Sequence, residues 1–184
     1  MMNIQEKSVV RLFRGSVLDV HVDAIVNAAN KSLLAGGGVD GAIHRAAGPA
    51  LLEECITLNG CKTGDCKITK AYDITWAKYI IHAVGPRFTD DGVLEKLWNC
   101  YYRALELAAA NDCHSIAFPC ISTGVYGVPI EFAAKQALNA IAAWFRDRPD
   151  YAMDVILCCY REEEYKIYTA LTSGETSGSP SGEG

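Results

Sequence analysis

The fold is decided by two adjoining segments, VDAIVNAAN at residues 22–30 and LAGGGVDGAIHRAAG at residues 34–48. The first predicts a short strand that is buried on both faces and is followed by a polar turn. The second opens with three consecutive glycines and continues into a helical pattern from Val39. Three glycines cost backbone entropy, so they favour a place where φ is positive or where a ligand lies against bare backbone. Because N–H groups at a helix N-terminus attract phosphate, we expect a phosphate-bearing ligand here. A connection that merely turns tightly is the alternative.

The rest of the chain alternates strand-like and helix-like patterns, which is typical of a layered α/β domain. The predicted strands are Val9 to Phe13, Ala24 to Asn27, Ile68 to Tyr72, Tyr79 to Val84, Ser115 to Pro119 and Asp154 to Cys158. The predicted helices are Val39 to Leu58, Gly92 to Asn111, Ile130 to Phe145 and Glu162 to Leu171. One domain is expected over residues 1–173. The Gly/Ser-rich residues 174–184 are expected to form a flexible tail.

A second loop strengthens the phosphate hypothesis. The segment FPCISTGVYGVP, residues 118–129, follows an apolar strand and precedes a helix, and it contains small residues, two hydroxyls and two glycines. Ligands of open α/β sheets lie outside the carboxyl ends of the strands, where both loops are expected. Gly36, Gly38 and Gly41 also spell the dinucleotide motif GxGxxG, but they do not follow their strand at once. No acidic residue ends a second strand about 20 residues later, so a hydride-transfer enzyme is disfavoured.

Composition restricts the class of protein further. The 184 residues are 50% hydrophobic and 21% charged, with a formal net charge of −5. No apolar run approaches the ~20 residues needed to cross a bilayer, and the start lacks a signal-peptide core, so we expect a cytoplasmic protein that does not enter a membrane. The scattered positive charges disfavour sequence-independent nucleic-acid binding. The eight cysteines form no CxxC pair and fit no common zinc spacing, so they are expected to be buried or free thiols, with no metal site.

Four segments together resemble the macrodomain family, and in particular its MacroD-type ADP-ribosyl hydrolase branch, over residues 8–171. They are VDAIVNAAN, GGGVDGAIHRAAG, YIIHAVGP and SIAFPCISTGVYGVP. The resemblance implies a three-layer α/β/α sandwich with a mixed, mostly parallel six-stranded sheet. It also implies a cofactor-free hydrolase that removes mono-ADP-ribose from acidic side chains of modified proteins, with O-acetyl-ADP-ribose as a second substrate. A non-catalytic reader of ADP-ribose is the alternative. A monomer is expected, whose partners are ADP-ribose and ADP-ribosylated proteins.

The resemblance also implies roles for individual residues. Asn30 and Asp40 match the catalytic pair near the distal ribose, a pair that a non-catalytic reader would not need. The implied ligand contacts are Ser16, Val17, Asn27, Gly36, Gly37, Gly38, Val39, Ser122, Thr123, Gly124, Val125 and Tyr126, with Tyr160 beside the adenine. Because the helix dipole stabilises its anion, Asp40 alone should activate water poorly, so we expect it to hold a water jointly with a substrate phosphate oxygen.

Several of these residues have a second, purely structural interpretation. Asp40 could simply cap the helix, and Asn27 could tie the turn through its amide. A structural role is favoured for His44, and Tyr126 could pack without touching ligand. Ser16 departs from the family, which usually has an aspartate there to accept from the adenine amine, and Asp19 is not its equivalent by spacing.

Overall fold

The computed structural model describes residues 8–176 of the chain. The strands are β1 (Val9–Arg14), β2 (Ala24–Ala29), β3 (Cys66–Lys70), β4 (Tyr79–Val84), β5 (Ser115–Phe118) and β6 (Asp154–Cys159). The α-helices are α1 (Gly38–Ala47), α2 (Pro49–Thr57), α3 (Val93–Ala110), α4 (Ile130–Asp147) and α5 (Glu162–Thr176). A single 3-10 turn covers Val17–Asp19.

The six strands form one mixed sheet in the order β1-β6-β5-β2-β4-β3. The pairs β1 with β6, β6 with β5, β5 with β2 and β2 with β4 are parallel, whereas β3 runs antiparallel to β4 at one edge. The predicted mixed, mostly parallel six-stranded sheet is therefore confirmed. Five parallel strands have their carboxyl ends at the same edge, which is where the predicted loops begin.

Two apolar clusters fill the two faces of the sheet. Helices α3, α4 and α5 pack on one face, where Trp144 and Tyr101 are fully buried. Helices α1 and α2 cover the other face with Ile43 and Leu51. Neighbouring residues of one strand serve opposite clusters, since Val26 lies in the first and Ile25 in the second. This alternation produces the three layers.

Most element ends differ from the prediction by one or two residues, and three differences affect a whole element. The helix expected from Val39 to Leu58 is two helices, because Gly48 has φ +86° and the following Pro49 disfavours a helical residue before it. Strand β3 is two residues earlier, since Tyr72 has φ +51° and cannot continue a strand. Helix α5 extends to Thr176, so it includes the first three residues of the predicted tail, and residues 177–184 lie outside the described chain.

The sheet order also creates a topological switch point. In the sheet, β3 and β4 lie on one side of β2, whereas β5 and β6, which come later in the chain, lie on its other side. A crevice therefore opens between the loops that follow β2 and β5, the position at which open α/β sheets bind ligands. Within residues 8–176, no helix is long and apolar enough to cross a membrane.

Candidate active site

The glycine loop after β2 presents bare backbone at the start of α1. Gly36, Gly37 and Gly38 are exposed, and Gly37 caps the helix without any side-chain hydrogen bond. The positive φ expected in this loop occurs at Gly38, at +58°, whereas Gly37 has φ −99°. A helix start without a capping side chain leaves the first N–H groups, including that of Val39, free to bind an anion.

Asp40 lies in the first turn of α1 and is held from two directions. Its Oδ1 accepts from Asn27 Nδ2 at 2.8 Å, and its Oδ2 accepts from the Gly36 N–H at 2.9 Å. The residue is only 5% exposed. Asp40 therefore fixes the glycine loop on the end of β2, and its carboxylate can reach a ligand only through a narrow opening.

A buried polar network continues beneath Asp40. Asn27 is fully buried, and its Nδ2 also lies 3.1 Å from Nδ1 of His82 on β4. His82 Nε2 lies 2.9 Å from Thr69 Oγ1, which donates its own hydrogen to the Lys70 carbonyl. Nε2 must then carry the proton and Nδ1 must accept from Asn27. Burial, with a smaller effect of His44, lowers the pKa of His82 to about 3, which keeps the ring neutral.

This network bears on whether Asn27 contacts a ligand or has a structural role. Both groups that face its Nδ2, Asp40 Oδ1 and His82 Nδ1, are acceptors, so the amide hydrogens must point toward them. Asn27 Oδ1 is buried and has no hydrogen-bond partner within residues 8–176. Because its side chain has no surface exposure, the structure favours a role for Asn27 in orienting Asp40.

The side chains of Asn30 and Asp40 both lie next to Gly36. A Cβ atom built on Gly36 would lie 3.2 Å from Asp40 Oδ2 and 3.3 Å from Asn30 Nδ2. Asn30 Oδ1 accepts from the backbone N–H groups of Ser32 and Leu33, and Nδ2 donates to the Leu34 carbonyl at 3.1 Å. An amide nitrogen has two hydrogens, so one remains available on the side of Gly36.

The second loop, after β5, turns its hydroxyls inward. Ser122 has φ +69°, and its Oγ donates to the Pro86 carbonyl at 2.7 Å. Thr123 Oγ1 lies 2.9 Å from the Glu164 carboxylate. Gly124 and Val125 are exposed, and their N–H groups form no hydrogen bond within residues 8–176. The two hydroxyls therefore shape the loop, and we expect its backbone N–H groups to make any diphosphate contact.

A clamp from the C-terminal helix fixes this loop. Arg161 Nη2 donates to the Thr123 carbonyl at 2.9 Å and to Glu164 Oε2 at the same distance. Glu164 is buried and also accepts from the Arg161 backbone N–H. The sequence analysis did not assign either residue to the site. The only signal was the acidic run at the start of α5, which also suits a helix N-terminus.

Tyr126 closes the second loop at the surface and is half-buried. Its carbonyl accepts from the Phe88 N–H at 2.8 Å, and the Arg87 guanidinium lies 5.3 Å from its ring centroid. Arg87 thus places a positive charge beside the candidate diphosphate site, which suits a phosphate-bearing ligand. Sequence reasoning missed Arg87 because its loop follows a different strand, β4.

The residues assigned to the adenine lie together at the ends of β1 and β6. The Gly15 N–H donates to the Cys159 carbonyl at 3.1 Å, and Arg14 donates to the Tyr160 carbonyl at 2.7 Å. Tyr160 is 72% exposed, so its ring is free to stack. Ser16 Oγ accepts from the Leu18 N–H as a helix cap, and the buried side chain of Val17 leaves only its backbone for a ligand.

Two further groups lie near the site without facing it. The His44 side chain is only 8% exposed, and its Nε2 lies 3.4 Å from Asp40 Oδ1. Burial, aided by the charge of Asp40, raises the pKa of the Cys55 thiol to about 11, so it stays protonated. Within residues 8–176, no three His, Cys, Asp or Glu side chains are grouped so that they could hold a metal ion.

Backbone-lined loops at neighbouring strand ends, one of them opening a helix, are the arrangement with which α/β domains bind phosphate-bearing ligands. The chain belongs to the Macro domain family, whose pattern it matches over residues 26–137. The resemblance drawn from the sequence is thereby confirmed.

Individual relatives agree with this assignment. The chain is 53% identical over 162 residues to human "ADP-ribose glycohydrolase MACROD2", covering 86% of this chain and 38% of that protein. It is 53% identical over 159 residues to a "Macro domain-containing protein" of Methanosarcina mazei, covering 85% and 84%. The crystal structure of a Trypanosoma brucei macrodomain in complex with ADP-ribose matches with a TM-score of 0.81 and 46% identity, covering 89% and 68%. The chain thus spans little more than a third of the human relative's length.

Proposed function

We propose that the protein binds ADP-ribose and hydrolyses mono-ADP-ribose esters on acidic side chains of modified proteins. The single observation that carries this proposal is the fixed placement of Asp40 beside Asn30, at the edge of a free helix N-terminus. Relatives named as ADP-ribose glycohydrolases support it.

The ligand would lie along the carboxyl edge of the sheet. The adenine falls beside Ser16 and Tyr160, the diphosphate lies between the two loops, and the distal ribose lies over Asn30 and Asp40. The two ends lie at β1 and β2, three inter-strand spacings apart in the order β1-β6-β5-β2. At about 4.8 Å between neighbouring strands, this edge is about 14 Å long, which suits an extended dinucleotide.

In the proposed reaction a water attacks C1″ of the distal ribose. Asp40 and a phosphate oxygen of the substrate hold that water, while the free Nδ2 hydrogen of Asn30 fixes a ribose hydroxyl. The new C1″–O bond forms as the bond to the protein's carboxyl oxygen breaks. The carboxylate leaves with both bonding electrons, and the proton of the water passes to solvent through the phosphate oxygen. Deacetylation of O-acetyl-ADP-ribose in the same cleft would need the held water to attack the acetyl carbonyl carbon instead, so that the bond from that carbon to the ribose oxygen breaks and acetate and the free ribose hydroxyl are released.

One observation favours the alternative of a non-catalytic ADP-ribose reader. Asp40 is nearly buried and both of its oxygens already accept hydrogen bonds, as a purely structural aspartate would. A hydrolase and a reader would both bind ADP-ribose, but only the hydrolase would turn over a modified substrate. Incubation with a labelled, mono-ADP-ribosylated substrate should release label in the wild type. Calorimetric binding of ADP-ribose without any release of label would establish the reader instead.

The remaining parts of the proposal concern the state of the protein in the cell. We propose a monomer in the cytoplasm that requires no cofactor and does not bind nucleic acid independently of sequence. The net charge of −5 supports the last point, since a polyanion would be repelled. The flexible tail expected over residues 174–184 stays a prediction beyond Thr176, since residues 177–184 lie outside the described chain.

A further inference from the structure

A second concave region lies beside the candidate active site at the same edge of the sheet. It is a groove of about 820 Å³ between the loop at residues 60–65 and the start of α3. The Gly64 N–H donates to the carbonyl of Val84, the last residue of β4, at 2.8 Å. The Cys61 N–H donates to the carbonyl of Lys31 at the same distance. Lys31 directly follows Asn30, so the groove begins where the distal ribose would end.

The groove is rich in positive charge. It is lined by Lys31, Lys62, Lys96 and Arg103, against the two carboxylates of Asp65 and Glu95. Arg103 is paired with Asp65 at 3.3 Å, but within residues 8–176 none of the three lysines forms an ion pair. An excess of unpaired cations in one groove is notable in a chain whose net charge is −5. Such an excess attracts acidic partners.

We propose that this groove, defined by Lys31, Lys62 and Lys96, binds acidic residues that flank the modified side chain of the protein substrate. The inference rests on the proposed function, because it places the bond to be cleaved over Asn30 and Asp40. The polypeptide that carries the modification must leave the cleft from that point, and the groove is the neighbouring exit. An extended chain advances about 3.3 Å per residue, so a few flanking residues reach all three lysines.

The charge chemistry selects a peptide with carboxylates over a neutral one. The lysines of the groove are at least partly exposed, and the Lys96 side chain passes over Gly64, with its Cβ 3.3 Å from the position of an added Gly64 Cβ. Exposed charges interact across water, so each contact is weak and salt-dependent. Three of them together should raise affinity and association rate without altering the chemical step.

The test compares two peptides with a hydrolysis-resistant ADP-ribosyl linkage, one flanked by Asp and Glu, the other by Asn and Gln. The groove variant is Lys31→Gln, Lys62→Gln, Lys96→Gln. The matched control, Lys78→Gln, Lys135→Gln, Lys166→Gln, removes three charges from exposed lysines elsewhere. Wild type and control should bind the acidic peptide about three- to tenfold more tightly at low salt. The groove variant should lose that preference and retain its affinity for free ADP-ribose.

Equal affinity of the wild type for both peptides would overturn the inference, as would an equal loss of preference in the control. A loss of free ADP-ribose binding in the groove variant would assign the lysines to the nucleotide and also overturn it. The inference would also be overturned if an oligonucleotide competed for the groove more strongly than the acidic peptide does. If the proposed function is wrong, no label is released from the neutral substrate. The peptide preference is measured by binding alone, so the two failures are distinguishable.

Discussion

His82 should make the stability of the protein depend on pH between pH 7 and pH 4.5. The ring is buried between Asn27 and Thr69, and its Nδ1 accepts from the Asn27 amide. Protonation of His82 would place its Nδ1–H against the Asn27 amide N–H, so that two donors face each other, and it would bury a positive charge. We therefore predict that lowering the pH from 7 to 4.5 destabilises the wild type more than the His82→Leu variant.

The size of the effect follows from the pKa of His82, which burial lowers from 6.5 in the unfolded chain to about 3 in the folded one. Between these values the unfolded state binds more protons, so the stability contributed by neutral His82 is complete above pH 6.5 and is lost as pH falls toward 3. At about 1.36 kcal/mol per pKa unit, the loss between pH 7 and pH 4.5 is about 2.5 kcal/mol.

Urea denaturation at both pH values measures this difference. His82→Leu starts lower at pH 7, by about 1–3 kcal/mol, because the Asn27 amide loses an acceptor. Its further loss on acidification should be smaller than that of the wild type by about 2.5 kcal/mol. His21→Leu, which removes an exposed histidine, serves as the control and should keep the wild-type slope. The reasoning fails if His82→Leu and the wild type lose equal stability.

Three substitutions in the candidate site have separate expected outcomes. Asp40→Ala should lower turnover by about 10² to 10⁴ and leave ADP-ribose affinity within about tenfold; steady-state kinetics and calorimetry check this, and unchanged turnover would contradict it. Gly36→Ala should lower turnover by about tenfold, because its Cβ would press on Asp40 and Asn30. Gly37→Ala, whose added Cβ meets no atom within 4 Å among residues 8–176 apart from its chain neighbours, is compared with it at saturating substrate so that weaker binding does not enter, and equal rates in the two variants would refute the crowding. Ser16→Asp should keep the helix cap and tighten ADP-ribose binding by about 1 kcal/mol, a gain that an inosine analogue should not reproduce. Equal gains for both ligands would place Ser16 away from the base.

Local pattern and loop chemistry predicted much of the fold, because buried strands and amphipathic helices have distinct periods. The break at Gly48–Pro49 was visible in the sequence but was outweighed by an apolar pattern that continues across it. The order of the strands could not be predicted from the pattern alone, since pairing depends on contacts between residues distant in the chain. The inward orientation of the Thr123 hydroxyl could not be predicted from the sequence for the same reason. Its partner Glu164 lies 41 residues later, and nothing local links the two.

The clamp of Arg161 and Glu164 on Thr123 has a consequence for the order in which the protein matures. A growing chain that has emerged as far as Phe145 contains both glycine-bearing loops and the complete pair Asn30 and Asp40. It still lacks the two residues that hold the second loop, which arrive only with α5. The ligand site is thus completed by the last part of the described chain to be synthesised, and affinity for ADP-ribose should develop abruptly once α5 has been added.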